Sequence, residues 1–286
     1  MREARSGSPR APLVHPGGWI LLSVLVLVVV VPMAWAFSLA FRSNEEIARI
    51  GGLSLHTFVP VRPTLDNFTR FFTAVSIGRV LAVTVSVCLS VTVASLLINS
   101  LAAFAFARMK FVGRNLLFAV VVATMILPIE ILIVPLYRVV KDVGLMNTLA
   151  ALVVPFAASG FGIFFMRQFF AGVPRELDEA ARIDGCGSTR FFFRILLPLA
   201  RTPLVTLGLI VFLGQWDSFL VPVTFISRTE NMVLQVAINN LYAHIYVNDV
   251  ALLAAGMVIG AVPVIVVFLF TQRYYIAGIT TTGIKG

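Results

Sequence analysis

The sequence predicts an all-α membrane protein, a bundle of six transmembrane helices carrying one ordered hydrophilic loop. Three observations lead there. Of the 286 residues, 59% are hydrophobic and only 12% charged, and the mean hydropathy is +0.98, far from the composition of a soluble domain. Six stretches reach the roughly 20 mostly apolar residues that a helix needs to cross a bilayer. The one Arg-studded hydrophilic segment, residues 174–203, lies between the fourth and fifth of them. No hydrophilic stretch is long enough for a separate soluble domain. Residues 19–271 are therefore expected to form one membrane domain between an N-terminal tail, 1–18, and a C-terminal tail, 272–286.

The expected spans are 19–41, 80–107, 116–137, 148–166, 203–226 and 250–271. Ahead of the first, Arg2, Arg5 and Arg10 followed by Ala34-Trp35-Ala36 imitate a signal peptide. The apolar run continues through Phe41, beyond the usual core of about 7–15 residues, so an uncleaved span is expected. The second span carries Thr84, Cys88, Thr92, Ser95 and Asn99 at helical spacing, and the sixth carries Gly256-x-x-x-Gly260. Small and polar residues so placed let helices approach and share hydrogen bonds. The outer segment 42–78, with Pro60, Pro63 and Asp66-Asn67-Phe68, reads as a solvated loop.

Orientation follows from Lys and Arg, which accumulate in cytosolic loops. With the N-terminus inside, 14 of the 22 lie on the inner side against 8 outside, and the tight clusters are all inner. Both termini and the 167–202 loop are then cytosolic. The net charge of +9 belongs to this asymmetry and not to nucleic-acid binding, since no basic groove with interleaved aromatics accompanies it. Cys88, in a span, and Cys186, in the loop, are too far apart to pair. With three scattered His they offer no metal-ligand spacing, so neither a metal nor a cofactor is expected.

The loop is unusually well specified. Pro174 suits a first helical turn, and Glu176, Asp178 and Glu179 then favour a helix start while Arg182 favours its end. Gly185 can close the helix in the left-handed conformation. Ser188 or Thr189 can cap a second helix that runs through Phe191, Phe192 and Ile195 to Pro198. Phe191, Phe192 and Phe193, flanked by Arg190 and Arg194, suit an element lying along the membrane face.

Residue identities add a resemblance. Glu179-Ala180-Ala181, then Gly185, then Ile195-x-Leu197-Pro198, with Asp184 and Phe192 in place, resembles the EAA loop of permease subunits of binding-protein-dependent ABC importers. Met125 to Pro128, Pro135 to Tyr137, Arg167 to Phe170, Gln215 to Phe219 and the ending Gly278 to Gly286 resemble the carbohydrate-uptake branch, specifically its maltose-type second permease subunit. Two departures stand out: Cys186 replaces a usual Ala, and Asp217 stands where Asn commonly follows the Trp.

The resemblance implies that Glu179, Ala180, Ala181, Asp184, Gly185, Ile195, Leu197 and Pro198 couple the chain to a dimeric cytosolic ATP-binding subunit. It also implies a second permease subunit as partner, an extracellular or periplasmic sugar-binding protein, and a place in the cell membrane. The sequence independently lacks G-x-x-x-x-G-K-[ST]; its nearest glycine cluster, Gly185 to Thr189, has no phosphate-contacting Lys. Energy for active transport must come from a partner.

Within the spans the ionisable Glu130 and Asp217 stand out, because such groups are costly in a membrane and usually face the bundle interior. Glu130, Val134 and Tyr137 share a helical stripe between Pro128 and Pro135, and Trp216 with Asp217 could hold a sugar by stacking and hydrogen bonding. Contact with a substrate path and pairing that merely holds the bundle are both open readings for these residues. Three functions compete with a sugar-import subunit: the same subunit type importing glycerol 3-phosphate or its diesters, a self-sufficient proton-coupled carrier, and a membrane-embedded enzyme. A carrier would more often show internal repeats, and no nucleophile-base pair supports an enzyme.

Overall fold

The computed structural model describes residues 16–49, 55–244 and 249–282, with side chains over 17–49, 56–241 and 249–272. The expected basic tail with Arg2, Arg5 and Arg10, the Arg273 side chain and the terminal Lys285 lie outside the described residues. Helix α1 spans Pro16–Ala40, α2 Asn44–Arg49, α3 Leu55–Phe58, α4 Asp66–Ala74 and α5 Ile77–Arg108. Then follow α6 Arg114–Thr124, α7 Ile129–Asp142, α8 Leu149–Val153, α9 Gly160–Gly172 and α10 Glu176–Ile183. Helix α11, Ser188–Phe191, continues through a π-helical turn, Phe192–Leu196, into α12, Leu197–Leu199. The remainder is α13 Arg201–Trp216, α14 Leu220–Phe225, α15 Leu234–His244 and α16 Val250–Thr282.

Among the described residues, three uninterrupted helices are long and apolar enough to cross a membrane, Gly17–Ala40, Ile77–Arg108 and Val250–Gln272. The count reaches six if each of three bent pairs is one span. This differs from six straight helices. The expected span 116–137 is broken between α6 and α7, which meet at 105°; Pro128 is extended there (ψ 146°) and has no N–H to give the preceding turn. Within 148–166 the break is 42° and follows a 3-10 turn at Val154–Phe156. Helix α13 ends at Asp217, inside the expected span 203–226, and meets the preceding Ser188–Leu199 segment at 79°. Hydropathy registers composition, not direction, so none of these bends is visible to it.

The chain divides into two compact units, Met1–Phe71 with Asn248–Val258, and Phe72–Val247 with Ile259–Gly286. In the first, α1 exposes nearly every large apolar side chain from Trp19 to Trp35, as a lipid-facing helix must. Its end packs Leu39 and Ala40 on Ala254 and Ala255. The outer segment is not the solvated loop its composition suggests. Asn67 is buried and donates to the carbonyls of Ala40 (2.9 Å) and Arg42 (2.7 Å), because a buried amide must find acceptors. Gly256 abuts Phe71 so closely that a Cβ would stand 2.6 Å from its ring.

Asp249 caps α16, accepting from Leu252 N (3.0 Å) and Asn44 Nδ2 (2.8 Å) and pairing with Arg70. Burial by itself would raise its carboxyl, but the hydrogen bonds from Asn44, Leu252 and Arg70 and the Arg70 charge together hold it below the ordinary value of 3.8. A depressed carboxylate contributes stability that is complete above its unfolded-state pKa and is lost as pH falls through the folded one. Asp249→Asn keeps the cap but loses the ion pair. It is expected to lower thermal stability in detergent at pH 7 by about 1 kcal/mol and to flatten the acid-induced loss below about pH 4; an unchanged acid profile contradicts this assignment.

In the second unit α5 is the spine, packed on α9 and α13. The predicted polar stripe lies in these contacts. Thr84 Oγ1 accepts Leu234 N at 2.9 Å, capping α15 across the unit. Asn99 Oδ1 accepts Ser159 N at 3.0 Å while its amide donates to Ser95 Oγ at 2.6 Å. Gly162 permits this approach, since a Cβ there would stand 2.2 Å from Asn99 Nδ2. One apolar cluster gathers Val87, Val140, Leu152 and Phe225; a second gathers Phe104, Met166, Phe170, Phe191, Phe192 and Leu207 beneath the hydrophilic loop.

Candidate functional site

The loop folds as helix, glycine turn, helix, with shifted ends. Helix α10 starts at Glu176 with Arg175 as its N-cap, two residues after Pro174. It closes as a Schellman turn: Gly185 N bonds to Arg182 O (3.0 Å) and Cys186 N to Ala181 O (2.8 Å). Gly185 sits at φ +72°, in the left-handed region. The next helix begins at Ser188, with Gly187 as N-cap and no side-chain cap bond, so neither Ser188 nor Thr189 caps it. The Phe run also departs from expectation. Phe191 and Phe192 are buried in protein, ring centroids 6.4 and 5.1 Å from Phe104, and only Phe193 is exposed. The π turn at Phe192–Leu196 runs through this packed stretch.

The predicted loop residues divide by face. Glu179, Ala180, Asp184, Gly185 and Pro198 are exposed, Ile195 and Leu197 half-buried, and Ala181 buried. Ile183, beside the glycine turn, is 86% exposed. An apolar tip thus stands out from a helix whose opposite side is locked down.

What locks it is Arg108, which no motif in the sequence singles out. Its guanidinium donates to Asp178 Oδ2 (2.7 Å) on α10 and to the carbonyls of Phe170 and Val173 (both 2.6 Å) at the end of α9. The side chain is 5% exposed, and charge-assisted bonds of this length are the strong kind. The ends of α5 and α9 and the start of α10 are therefore one bonded unit. The available signal was an arginine closing a 32-residue apolar helix, where a cation meets the negative end of the helix dipole.

Comparison with known proteins decides the family. The family described as "binding-protein-dependent transport system inner membrane component" matches residues 97–279. The chain belongs to it. The permease is 34% identical over 272 residues to the arabinooligosaccharides transport system permease protein AraQ of Halalkalibacterium halodurans, covering 94% of this chain and 96% of that one. It is 32% identical over 284 residues to the sn-glycerol-3-phosphate transport system permease protein UgpE of Rhizobium meliloti, covering 96% and 98%. Its fold matches the crystal structure of a bacterial ABC transporter involved in the import of the acidic polysaccharide alginate, with a TM-score of 0.82, 21% identity, and coverage of 93% of this chain and 100% of that one. The all-α ABC importer permease fold expected from sequence is thus observed.

The four residues proposed for a substrate path have different surroundings in the permease. Glu130 lies exposed in the first turn of α7, and Asp217 exposed at the end of α13. Neither carboxylate takes part in a hydrogen bond or ion pair among the described residues, so intrachain pairing does not occupy them. Tyr137 is half-buried, its ring 6.4 Å from Phe225. Trp216 is enclosed, which fits the bundle-holding one of its two readings. It is 1% exposed, its Nε1 donates to Gly260 O at 3.1 Å, and its ring stacks on Phe212. A ring so enclosed anchors α13 to α16.

Proposed function

We propose that the permease is the non-catalytic membrane subunit of an ATP-driven sugar importer, paired with a second permease and driven by a separate dimeric ATPase docked on α10. Its cargo would arrive on an external binding protein, and both termini and α10 would face the cytosol. The observation that carries this reading is α10 itself, an amphiphilic helix closed at Gly185 with Ile183 outward and Asp178 and Ala181 held inward. Such an element transmits displacement. Closure of the ATPase pair would carry α10 as a rigid body, and Arg108 would pass the motion to α5 and α9. The exposed Glu130 and Asp217, without partners among the described residues, suit a path shared with the second permease.

The similarity to AraQ supports an oligosaccharide cargo, and an unpaired Glu130 in the path disfavours anions. A second reading, glycerol 3-phosphate, is kept because the relative from Rhizobium meliloti carries that name. The test is co-purification followed by reconstitution. A tagged chain should bring a second permease and an ATPase pair, and vesicles holding that complex should take up whatever sugar the cognate binding protein binds, only with ATP. Uptake by the chain alone on a proton gradient contradicts the proposal, and a binding protein selective for glycerol 3-phosphate selects the second reading. Glu130→Gln is expected to alter sugar selectivity without loss of assembly; lost assembly with unchanged selectivity would assign Glu130 to the interface between permeases.

A further inference from the structure

Two hollows adjoin the start of α10, of about 460 and 570 Å³, and both are lined by Arg108, Lys110 and Arg175. The smaller adds Arg114 and no carboxylate. The larger adds Arg182 with Asp178 and Glu179, and Asp178 is already engaged by Arg108. Lys110 and Arg175 have neither a hydrogen bond nor an ion pair through their side chains among the described residues. Arg114 gives Nη1 to Met109 O at 3.2 Å and Nε to Asn115 Oδ1 at 3.5 Å, which leaves its Nη2 turned to no acceptor among the described residues. Like charges gathered in so small a space repel one another unless an anion lies between them.

The position says which anion. Helix α5, long and apolar enough to cross a membrane, ends at Arg108, so the turn that follows it, up to Arg114, belongs at a membrane face where lipid headgroups lie. Bordering the cations, Val112 is 99% and Leu116 71% exposed. A phosphate that carries acyl chains satisfies both surfaces, whereas a free phosphate leaves the apolar margin in water.

We infer that this cleft between the α5–α6 turn and the start of α10 seats the phosphate of an anionic phospholipid. Lys110 and Arg114 hold it from the turn and Arg175 from the N-cap of α10, so the lipid bridges the membrane helices to that segment. The inference rests on the membrane fold and is independent of cargo and of ATPase docking.

The test uses the complete assembly in nanodiscs of phosphatidylcholine with a graded share of phosphatidylglycerol, counting retained lipid by native mass spectrometry. The double variant Lys110→Gln with Arg175→Gln should need roughly tenfold more phosphatidylglycerol for equal retention. Lys110→Arg with Arg175→Lys, which keeps the charge, should bind like wild type and shows that the fold survives. Arg190→Gln with Arg194→Gln removes as much charge from exposed positions outside the cleft and should change nothing. Equal losses in the cleft and control variants would reduce the effect to general basicity and overturn the site. Displacement of the lipid by millimolar inorganic phosphate, or cross-linking of Lys110 to an acidic surface of the ATPase, would overturn the lipid as occupant.

Discussion

Replacing Arg108 by methionine is expected to lower unfolding free energy by about 2–4 kcal/mol and to abolish coupled transport. Methionine keeps much of the bulk and none of the donors. Asp178 would lose its partner, and the carbonyls of Phe170 and Val173 would lose theirs, at the junction of α5, α9 and α10. Removing one member of a buried pair leaves the other charge uncompensated, which is why the loss exceeds that of a surface bridge. The estimate stops short of a fully buried pair because Asp178 keeps 21% of its side chain in solvent. Arg108→Lys should recover only part of the loss, since a single ammonium cannot reproduce a planar fork reaching three acceptors. Thermal unfolding in detergent and protease cleavage near Val173 measure this; a wild-type melting curve with intact transport in Arg108→Met would remove the clamp from the account.

Gly185→Val is expected to leave assembly intact while separating ATP hydrolysis from transport. A Cβ at Gly185 meets nothing within 4 Å, so the penalty is not a clash. It is backbone strain at φ +72°, about 1–3 kcal/mol for a β-branched residue in the left-handed region. That suffices to open the two turn bonds to Ala181 and Arg182 without unfolding the bundle. Gly187, only two residues on, provides the control. It also has open space around it but lies at φ −69°, where valine is at ease, so Gly187→Val should transport normally. Gly185→Asn should retain more coupling than Gly185→Val, because asparagine tolerates the left-handed region. Hydrolysis and uptake measured side by side in proteoliposomes distinguish these outcomes.

These two positions show what was legible in the sequence. Gly185 could be read because its requirement is local: acids, then an arginine, then glycine spell one helix and its end. The polar stripe on α5 was equally readable, since a 3.6-residue period survives whatever the helix packs against. Arg108 was not, because its partners lie 62 to 70 residues away and no spacing announces them. Trp216 was left between two readings for a related reason. Neighbouring residues did not reveal that Gly260 would supply a carbonyl to its ring nitrogen. The bend at Pro128 escaped because apolar composition continues through it, and Phe191 and Phe192 seemed membrane-facing only until the cluster around Phe104 gave them a protein core.

The central claim is that α10 is where a separate ATPase takes hold, and the most direct measurement is a cross-link from its exposed tip. With Ile183→Cys in the assembled importer and single cysteines placed over the ATPase surface, the account predicts an interchain disulfide from position 183 that halts transport until reduced. Val112→Cys, at least as exposed in the chain but on the α5–α6 turn, should form none. An importer that transports normally while position 183 never reaches the ATPase would contradict it.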